Sequence, residues 1–311
     1  MIPTVTPNPS LDLTYRVGSL EHGAVQRAEE VSVEAGGKGV NVSRNLVRNG
    51  VASRAIVPVG WAEGERFLSL LSGFEVIRVP ISEDVRMNLS LVEPGGVVTK
   101  INAPGPRLSA AEIEILVEET ANAAKDTEWL AVCGSLPAGT SPGLYATLVE
   151  VAREAGCRVA ADTSGESLRS SIEAEPDLIK PNHEELAELV GRKLKTFGDI
   201  LESAKETRAA GVGSILVSLG PDGAMLIEEA GTYHAETPPF VVKSTVGAGD
   251  SLLSGFLAAG GSGEAALVEA VAWGAAAAKL PGTTGPAPEE IKRGEVKVSE
   301  AIDMRRPLAD A

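Results

Sequence analysis

Short apolar runs rich in Val, Ile and Ala alternate along the chain with longer stretches whose apolar positions recur at helical spacing. The runs predict strands at Ile2–Thr6, Ala52–Val59, Glu75–Val79, Trp129–Cys133, Arg158–Asp162, Leu178–Lys180 and Ile215–Ser218. Between them lie predicted helices. One spans Gly39–Asn49 and stops before Gly50, a good residue beyond a helix end. Ser109 and Glu112 have capping-box spacing and open a helix through Lys125. Ser141-Pro142 reads as an N-cap followed by Pro at the first helical position, opening a helix to about Ala155. An apolar helix is expected at Ser251–Ala259. Strand and helix in alternation predict an α/β fold with a mainly parallel sheet and helices on both faces.

Two regions break the rhythm. Asp12–Glu34 has no helix to pair with. Asn88–Ile101 reads as a hairpin turning at Pro94-Gly95-Gly96. Both are expected to leave the main sheet and form a small β lid, built from about residues 12–34 and 86–102. The chain carries no repeat and no linker-like tract, so residues 1–311 are expected to form one domain.

Composition narrows the function. Twenty-eight Lys and Arg against 43 Asp and Glu leave a net charge of −15 in 311 residues. No dense Lys/Arg stripe is present, which argues against nucleic acid as a partner. The most basic stretch, Arg192-Lys193-Leu194-Lys195, reads as the solvated end of a helix. Aromatic residues make up only 4%, so the core must be aliphatic. Cys133 and Cys157 are too few for a disulfide framework and fit a reducing cytoplasm. His22, His183 and His234 are too scattered for a metal motif. Met1-Ile2-Pro3-Thr4 lacks a basic region and a long apolar run, so no signal peptide is expected, and charges interrupt the apolar region Leu252–Leu280 before it reaches the ~18 residues of a membrane span.

Several segments can carry chemistry. Thr245-Val246-Gly247-Ala248-Gly249-Asp250 precedes the apolar helix. Its small residues leave N–H groups open at a helix N-terminus, an anion site, with Asp250 in the first turn as a candidate general base. Read locally, it is also an ordinary Gly-rich turn. Glu34-Ala35-Gly36-Gly37-Lys38-Gly39-Val40-Asn41 lets a ligand approach the backbone, with Lys38 and Asn41 as donors, yet lacks the spacing of a Walker A loop. Asn182 and Glu185 have capping-box spacing; the alternative is that they hold a hydrated Mg²⁺. Ser218-Leu219-Gly220-Pro221-Asp222-Gly223 is a strand end and turn, where open α/β sheets bind ligands. Gly261-Ser262-Gly263-Glu264-Ala265-Ala266 matches a dinucleotide fingerprint but follows a helix, which removes the context it needs.

Thr6-Pro7-Asn8-Pro9-Ser10-Leu11-Asp12, Gly36–Asn41, Gly134-Ser135-Leu136-Pro137, Asp162-Thr163-Ser164-Gly165, Lys180-Pro181-Asn182 with Glu185, and Gly247–Asp250 occur in one order. Together they resemble the ribokinase-like phosphofructokinase-B family of sugar kinases over about residues 1–285. Within it the chain looks most like the sugar-phosphate branch, which contains 1-phosphofructokinase, tagatose-6-phosphate kinase and the minor 6-phosphofructokinase.

The resemblance implies ATP- and Mg²⁺-dependent phosphorylation of a ketose phosphate, first of all fructose 1-phosphate, with the other two substrates as alternatives. A non-catalytic sugar-phosphate-binding regulator is a remote one. It implies Asp250 as catalytic base, with the amides of Gly247, Ala248 and Gly249 as an anion hole. Asp12, Gly37 and Asn41 match positions that bind sugar hydroxyls. Arg86, Lys100 and Ser135 match the side of the phosphate already on the sugar, and Lys38 is a further substrate-binding candidate that joins Arg86 and Lys100 in a cationic trio beside Asp12. Lys180, Asn182, Ser218, Gly220, Gly223 and Thr245 match the ATP side, and Asn182 with Glu185 the Mg²⁺ motif. A monovalent cation beside the Ser244–Val246 backbone is compatible with the family, although backbone ligands leave no sequence signal. Exposed lid strands invite a homodimer through the lids. Two departures stand out. Ala103 occupies a position where related chains often carry Glu, and Ala138 replaces a common second Pro after Leu136-Pro137.

Overall fold

The structure is a computed structural model that describes residues 1–282 and 285–309. Residues 283, 284, 310 and 311 of the expected domain therefore lie outside the described residues. In chain order the first elements are β1 (Ile2–Val5), β2 (Ser10–Arg16), β3 (Glu30–Gly36), α1 (Lys38–Arg48), β4 (Ser53–Val59), α2 (Ala62–Ser69) and β5 (Glu75–Pro80). There follow β6 (Arg86–Val92), β7 (Val98–Ile101), α3 (Ala110–Ala124), β8 (Trp129–Cys133), α4 (Leu144–Glu154) and β9 (Arg158–Asp162). Next are α5 (Gly165–Glu173), β10 (Leu178–Ile179), α6 (His183–Val190), α7 (Phe197–Ala209) and β11 (Ser214–Ser218). The chain closes with β12 (Ala224–Ile227), β13 (Thr232–Glu236), α8 (Ala248–Ala258), α9 (Gly263–Ala278) and β14 (Lys297–Ser299).

Among the described residues, ten strands form one sheet in the order β14-β13-β12-β11-β10-β9-β8-β1-β4-β5. It is parallel from β5 to β11 and antiparallel beyond. The central strands read as continuous apolar runs because helices cover both faces; every residue of Trp129–Cys133 is buried. On one face Val42 and Leu46 of α1 join Leu253, Phe256 and Leu267 of α8 and α9 in the core. On the other, Leu116 of α3 packs with Tyr145 and Leu148 of α4. Leu186, Phe197 and Ile200 from α6 and α7 cover the strands toward the antiparallel edge.

The expected lid is a separate sheet of order β3-β2-β6-β7. Strand register and side-chain alternation place Asp12, Arg86, Asn88 and Lys100 on one face. Leu13, Val31, Val33, Met87, Leu89 and Ile101 share the other. At the lid root, Leu11 and Ala35 are buried with Val40, Val57 and Phe67.

Three readings need correction. The helix expected from Ser141-Pro142 begins at Leu144, after Gly143. Ser141 Oγ accepts from the Gly143 N–H instead, and Leu144 N–H returns to the Ser141 carbonyl, so the dipeptide makes a tight turn before the helix. Helix α8 begins at Ala248, ahead of the expected Ser251, which puts Asp250 at its third position. Arg192–Lys195 follows the end of α6 and forms the connection to α7. The antiparallel strands β12, β13 and β14 were not read from the sequence at all, because each apolar run was expected to be followed by a helix.

Candidate active site

The quoted motifs gather along the carboxyl ends of the parallel strands, where open α/β sheets place their ligands. Asn8 follows β1, Gly134 follows β8, Asp162 ends β9, Lys180 follows β10 and Ser218 ends β11. Helix α8 points its N-terminus into the same region. Gly247 caps it with φ of 78°, a left-handed conformation that glycine adopts without a Cβ penalty. The Ala248 N–H donates to the Thr245 carbonyl at 3.4 Å, and among the described residues the Gly249 N–H opens the helix without a main-chain acceptor.

Asp250, in the first turn of α8, is buried and accepts a hydrogen bond at Oδ2 from Asn41 Nδ2 at 2.8 Å. Burial, and then the nearby negative charge of Asp162, push its carboxyl above the usual carboxylate range; Lys38, the Asn41 bond and Lys180 offset part of the rise. A carboxyl displaced in that direction is a stronger base when ionised.

Asp162 lies between two lysines. Lys38 Nζ is 2.9 Å from its Oδ1 and Lys180 Nζ 3.3 Å from its Oδ2. Burial alone would raise the Asp162 carboxyl, but the charges of Lys180 and Lys38 outweigh it and hold the group below its ordinary range. Burial works against the Lys38 charge, yet Asp162 and Glu185 raise its pKa well above the usual lysine value. Lys180 Nζ also lies 3.4 Å from the point where a Cβ at Gly249 would stand. The Asp162 pair therefore sets one ammonium directly beside the α8 N-terminus.

A cavity of about 260 Å³ lies between this cluster and the lid, compact for a ligand site. Of the expected residues, Gly37, Lys38, Arg86, Ser135 and Glu185 line it. Arg86 is held by its main-chain neighbours: Nη1 donates to the Ala103 carbonyl at 3.1 Å and Nη2 to the Asn8 carbonyl at 3.1 Å. Its Nε is buried without a partner among the described residues. Ala103, one of the two sequence departures, thus contributes through its backbone, and its N–H also donates to Asn88 Oδ1. Asn8 Nδ2 donates to Ser135 Oγ at 3.3 Å and to the Leu136 carbonyl at 3.1 Å.

Asp12 stands on the polar face of the lid and accepts at Oδ1 from Ser10 Oγ and Asn88 Nδ2. A Cβ at Gly36 would come within 2.1 Å of Asp12 Oδ2, so a side chain here would displace the Asp12 carboxylate. Asp12, Asn41, Lys180, Asn182 and Asp250 do not line the cavity. Lys100 shares the lid's polar face but is exposed on β7, outside the cavity.

On the opposite side, Asn182 and Glu185 form a complete capping box at the start of α6, with Asn182 Oδ1 2.7 Å from the Glu185 N–H and Glu185 Oε2 2.9 Å from the Asn182 N–H. The local reading is therefore realised. The box employs one carboxylate oxygen of Glu185, and the residue also lines the cavity. No cluster of three or more metal-ligating side chains occurs among the described residues. Such a donor set fits Mg²⁺, which keeps several waters and takes one or two carboxylates together with substrate phosphates. Asn182 pairs with Ser218 in an isolated parallel bridge. Gly220 lies in an exposed turn after Ser218. Gly223 is required by packing, since a Cβ there would fall 2.0 Å from the Ala235 carbonyl. Thr245 is exposed in the segment before α8.

Asp162, Asn8 and Asn88 are site neighbours to which the sequence reading gave no role, although the first two lie within quoted motifs. Their signal was positional: each of those two sits at or just beyond the carboxyl end of a parallel strand.

Residues 6–290 match the model of the pfkB family carbohydrate kinases. A 1-phosphofructokinase of Vibrio cholerae is 37% identical over 254 residues, covering 81% of this chain and 80% of that protein. A 1-phosphofructokinase of Rhodobacter capsulatus is 36% identical, covering 82% of each. Among solved structures, phosphofructokinase-2 from Escherichia coli in complex with potassium superposes with a TM-score of 0.89 at 32% identity, covering 93% of this chain and 96% of that one. Motif order, strand-end clustering and these likenesses agree: the chain belongs to the pfkB family of carbohydrate kinases.

Proposed function

We propose that this kinase transfers the γ-phosphoryl group of ATP to the free primary hydroxyl of fructose 1-phosphate, giving fructose 1,6-bisphosphate and ADP. The observation that carries the reading is the burial of Asp250 in the first turn of α8, beside the Lys180 ammonium and the open Gly249 amide. Asp250 takes the proton of the attacking hydroxyl as that oxygen bonds to phosphorus. The bond from phosphorus to the ADP oxygen breaks, and its electrons stay on ADP. The amides at Gly247–Gly249 and the Lys180 charge stabilise the transferring group, the main demand of this chemistry.

The sugar phosphate is assigned to the cavity under the lid. Asp12 and Asn41 hold its hydroxyls, and Arg86 and Ser135 receive its phosphate. Lys100 joins them when the lid moves inward, a step that also keeps water from the γ-phosphoryl group. ATP takes the side of Lys180, Asn182, Ser218, Gly220, Gly223 and Thr245. Glu185, its carboxylate fixed by the Asn182 N–H, would hold Mg²⁺, which would supply charge neutralisation at the ATP phosphates. A monovalent cation beside Ser244–Val246 belongs to the same reading, supported by the potassium complex of the Escherichia coli relative.

Residues 1–311 act as one cytoplasmic kinase unit in this reading, consistent with free, buried Cys133 and Cys157. The lid's outer face supports a homodimer through the lids. Val31, Met87 and Ile101 are 51%, 48% and 57% exposed on the apolar side of that sheet. Light scattering of wild type and Met87→Glu is the test, with a dimer expected for the first and a monomer for the second.

Steady-state ATP consumption against fructose 1-phosphate, fructose 6-phosphate and tagatose 6-phosphate tests the substrate. The expected result is the highest kcat/KM with fructose 1-phosphate. Preference for another ketose phosphate replaces the substrate and keeps the chemistry; no turnover with any of them overturns the sugar-phosphate reading.

A further inference from the structure

Asn41 reaches Asp250 through its amide nitrogen, and an amide can present either end. What fixes the choice is Arg44, one helical turn along α1. Arg44 Nη1 donates to Asn41 Oδ1 at 2.9 Å. With the oxygen occupied by a cation, only Nδ2 can face the Asp250 carboxylate, where it donates at 2.8 Å. Arg44 is itself anchored: Nη2 donates to the Ala35 carbonyl at 2.6 Å, at the root of lid strand β3. Flipping the Asn41 amide would set two oxygens face to face at Asp250 and direct the amide N–H groups at a guanidinium. Both contacts are repulsive.

We propose that Arg44 is a positioning residue for the phosphoryl transfer, holding the Asn41 amide so that it always donates to the Asp250 carboxylate. The inference rests on the assignment of Asp250 as the general base. Its consequence is electrostatic. A fixed donor favours ionised Asp250 in a place where burial and Asp162 disfavour it. The other charged groups that face Asp250 are Lys38 at the start of α1 and Lys180 after β10. Arg44 lies in the field of Glu34, Asp12 and Asp250, and burial lowers its pKa, though a guanidinium stays charged throughout the working range. Its hold on Asn41 therefore does not switch off with pH.

The test compares wild type, Arg44→Met and Arg44→Lys in the pH dependence of kcat with saturating ATP and fructose 1-phosphate. In Arg44→Met, kcat is expected to fall about tenfold, the loss of one hydrogen bond to a charged group. The acid limb is expected to move to higher pH, because Asp250 without a fixed donor protonates more readily. KM for ATP stays near the wild-type value. Arg44→Lys keeps the charge but cannot make both bonds, and its limb falls between the other two. An acid limb in Arg44→Met that coincides with wild type overturns the proposal, even if kcat drops. If Arg44→Met fails to fold by circular dichroism, Arg44→Lys decides by the same criterion.

A double-mutant cycle on Tm gives a readout that needs no substrate. Arg44→Met is expected to lower Tm less in an Asp250→Asn background, where the facing amide no longer needs one fixed orientation. Equal losses in both backgrounds overturn the coupling. Absence of turnover by wild type would instead strike the substrate assignment and leave the cycle readable.

Discussion

Asn41 and Asp250 stand 209 positions apart in the chain, yet the amide of the first donates to the carboxylate of the second across 2.8 Å. The contact joins α1 to α8 beneath the lid. It is one of the few favourable terms that Asp250 has in its ionised form. Because burial and Asp162 raise the Asp250 pKa above its unfolded value, the ionised group costs the fold stability at every pH above the ordinary carboxylate range. Replacing Asp250 by Asn removes that cost while leaving an oxygen to accept from Asn41. Asp250→Asn is therefore expected to raise Tm near neutrality by about 2–4 °C, corresponding to roughly 1 kcal/mol, while activity collapses. Calorimetry checks it; a lowered Tm contradicts the assignment of strain to this carboxylate.

Asp162 has the opposite sign. Its folded-state pKa is depressed by Lys180 and Lys38 against the effect of burial, so its contribution is present above the ordinary carboxylate range. That contribution is lost as pH falls through the lowered folded value. Wild type should lose stability in strong acid, and Asp162→Asn should show a flatter profile there. At neutral pH, Asp162→Ala leaves Lys180 buried without its counter-charge and is expected to cost about 3–5 kcal/mol. Urea unfolding measures both effects.

Gly36→Ala tests the lid side. The new methyl overlaps the Asp12 carboxylate, which must swing away from Ser10 and Asn88. KM for the sugar phosphate is expected to rise roughly tenfold, the loss of about one charge-assisted hydrogen bond, with KM for ATP unchanged. Equal effects on both constants would indicate general damage to the lid root.

Glu185→Gln separates the cap from the metal. Glutamine still accepts from the Asn182 N–H, so the capping box survives with a stability change within about 1 kcal/mol. The carboxylate charge is gone, and the Mg²⁺ concentration for half-maximal activity is expected to rise. A Mg²⁺ titration of the variant beside wild type reads the shift directly.

Much of this molecule is legible in its sequence because local and global signals agree. The buried parallel strands are unbroken apolar runs, and Ser109 with Glu112 closes the capping box that its spacing promises. The lid is visible as two stretches without helices. The antiparallel edge escapes because Ala224–Ile227 and Thr232–Glu236 are short and gain their meaning only from pairing with β11. At the site, glycines and lysines at strand ends are readable as a pattern. Which lysine meets which carboxylate is not, since Asp162 draws in Lys38 from 124 positions away. Arg44 carries no motif of its own; its role follows from the two atoms that it holds.

Phosphoryl transfer from ATP to fructose 1-phosphate by wild type and Asp250→Asn, measured side by side at saturating substrates, tests the central claim most directly. The expected result is fructose 1,6-bisphosphate formation by wild type and a kcat reduced about 10²–10⁴-fold in the variant, with both substrates still bound. A variant with near-wild-type kcat would contradict the role given to the buried carboxylate at the head of α8.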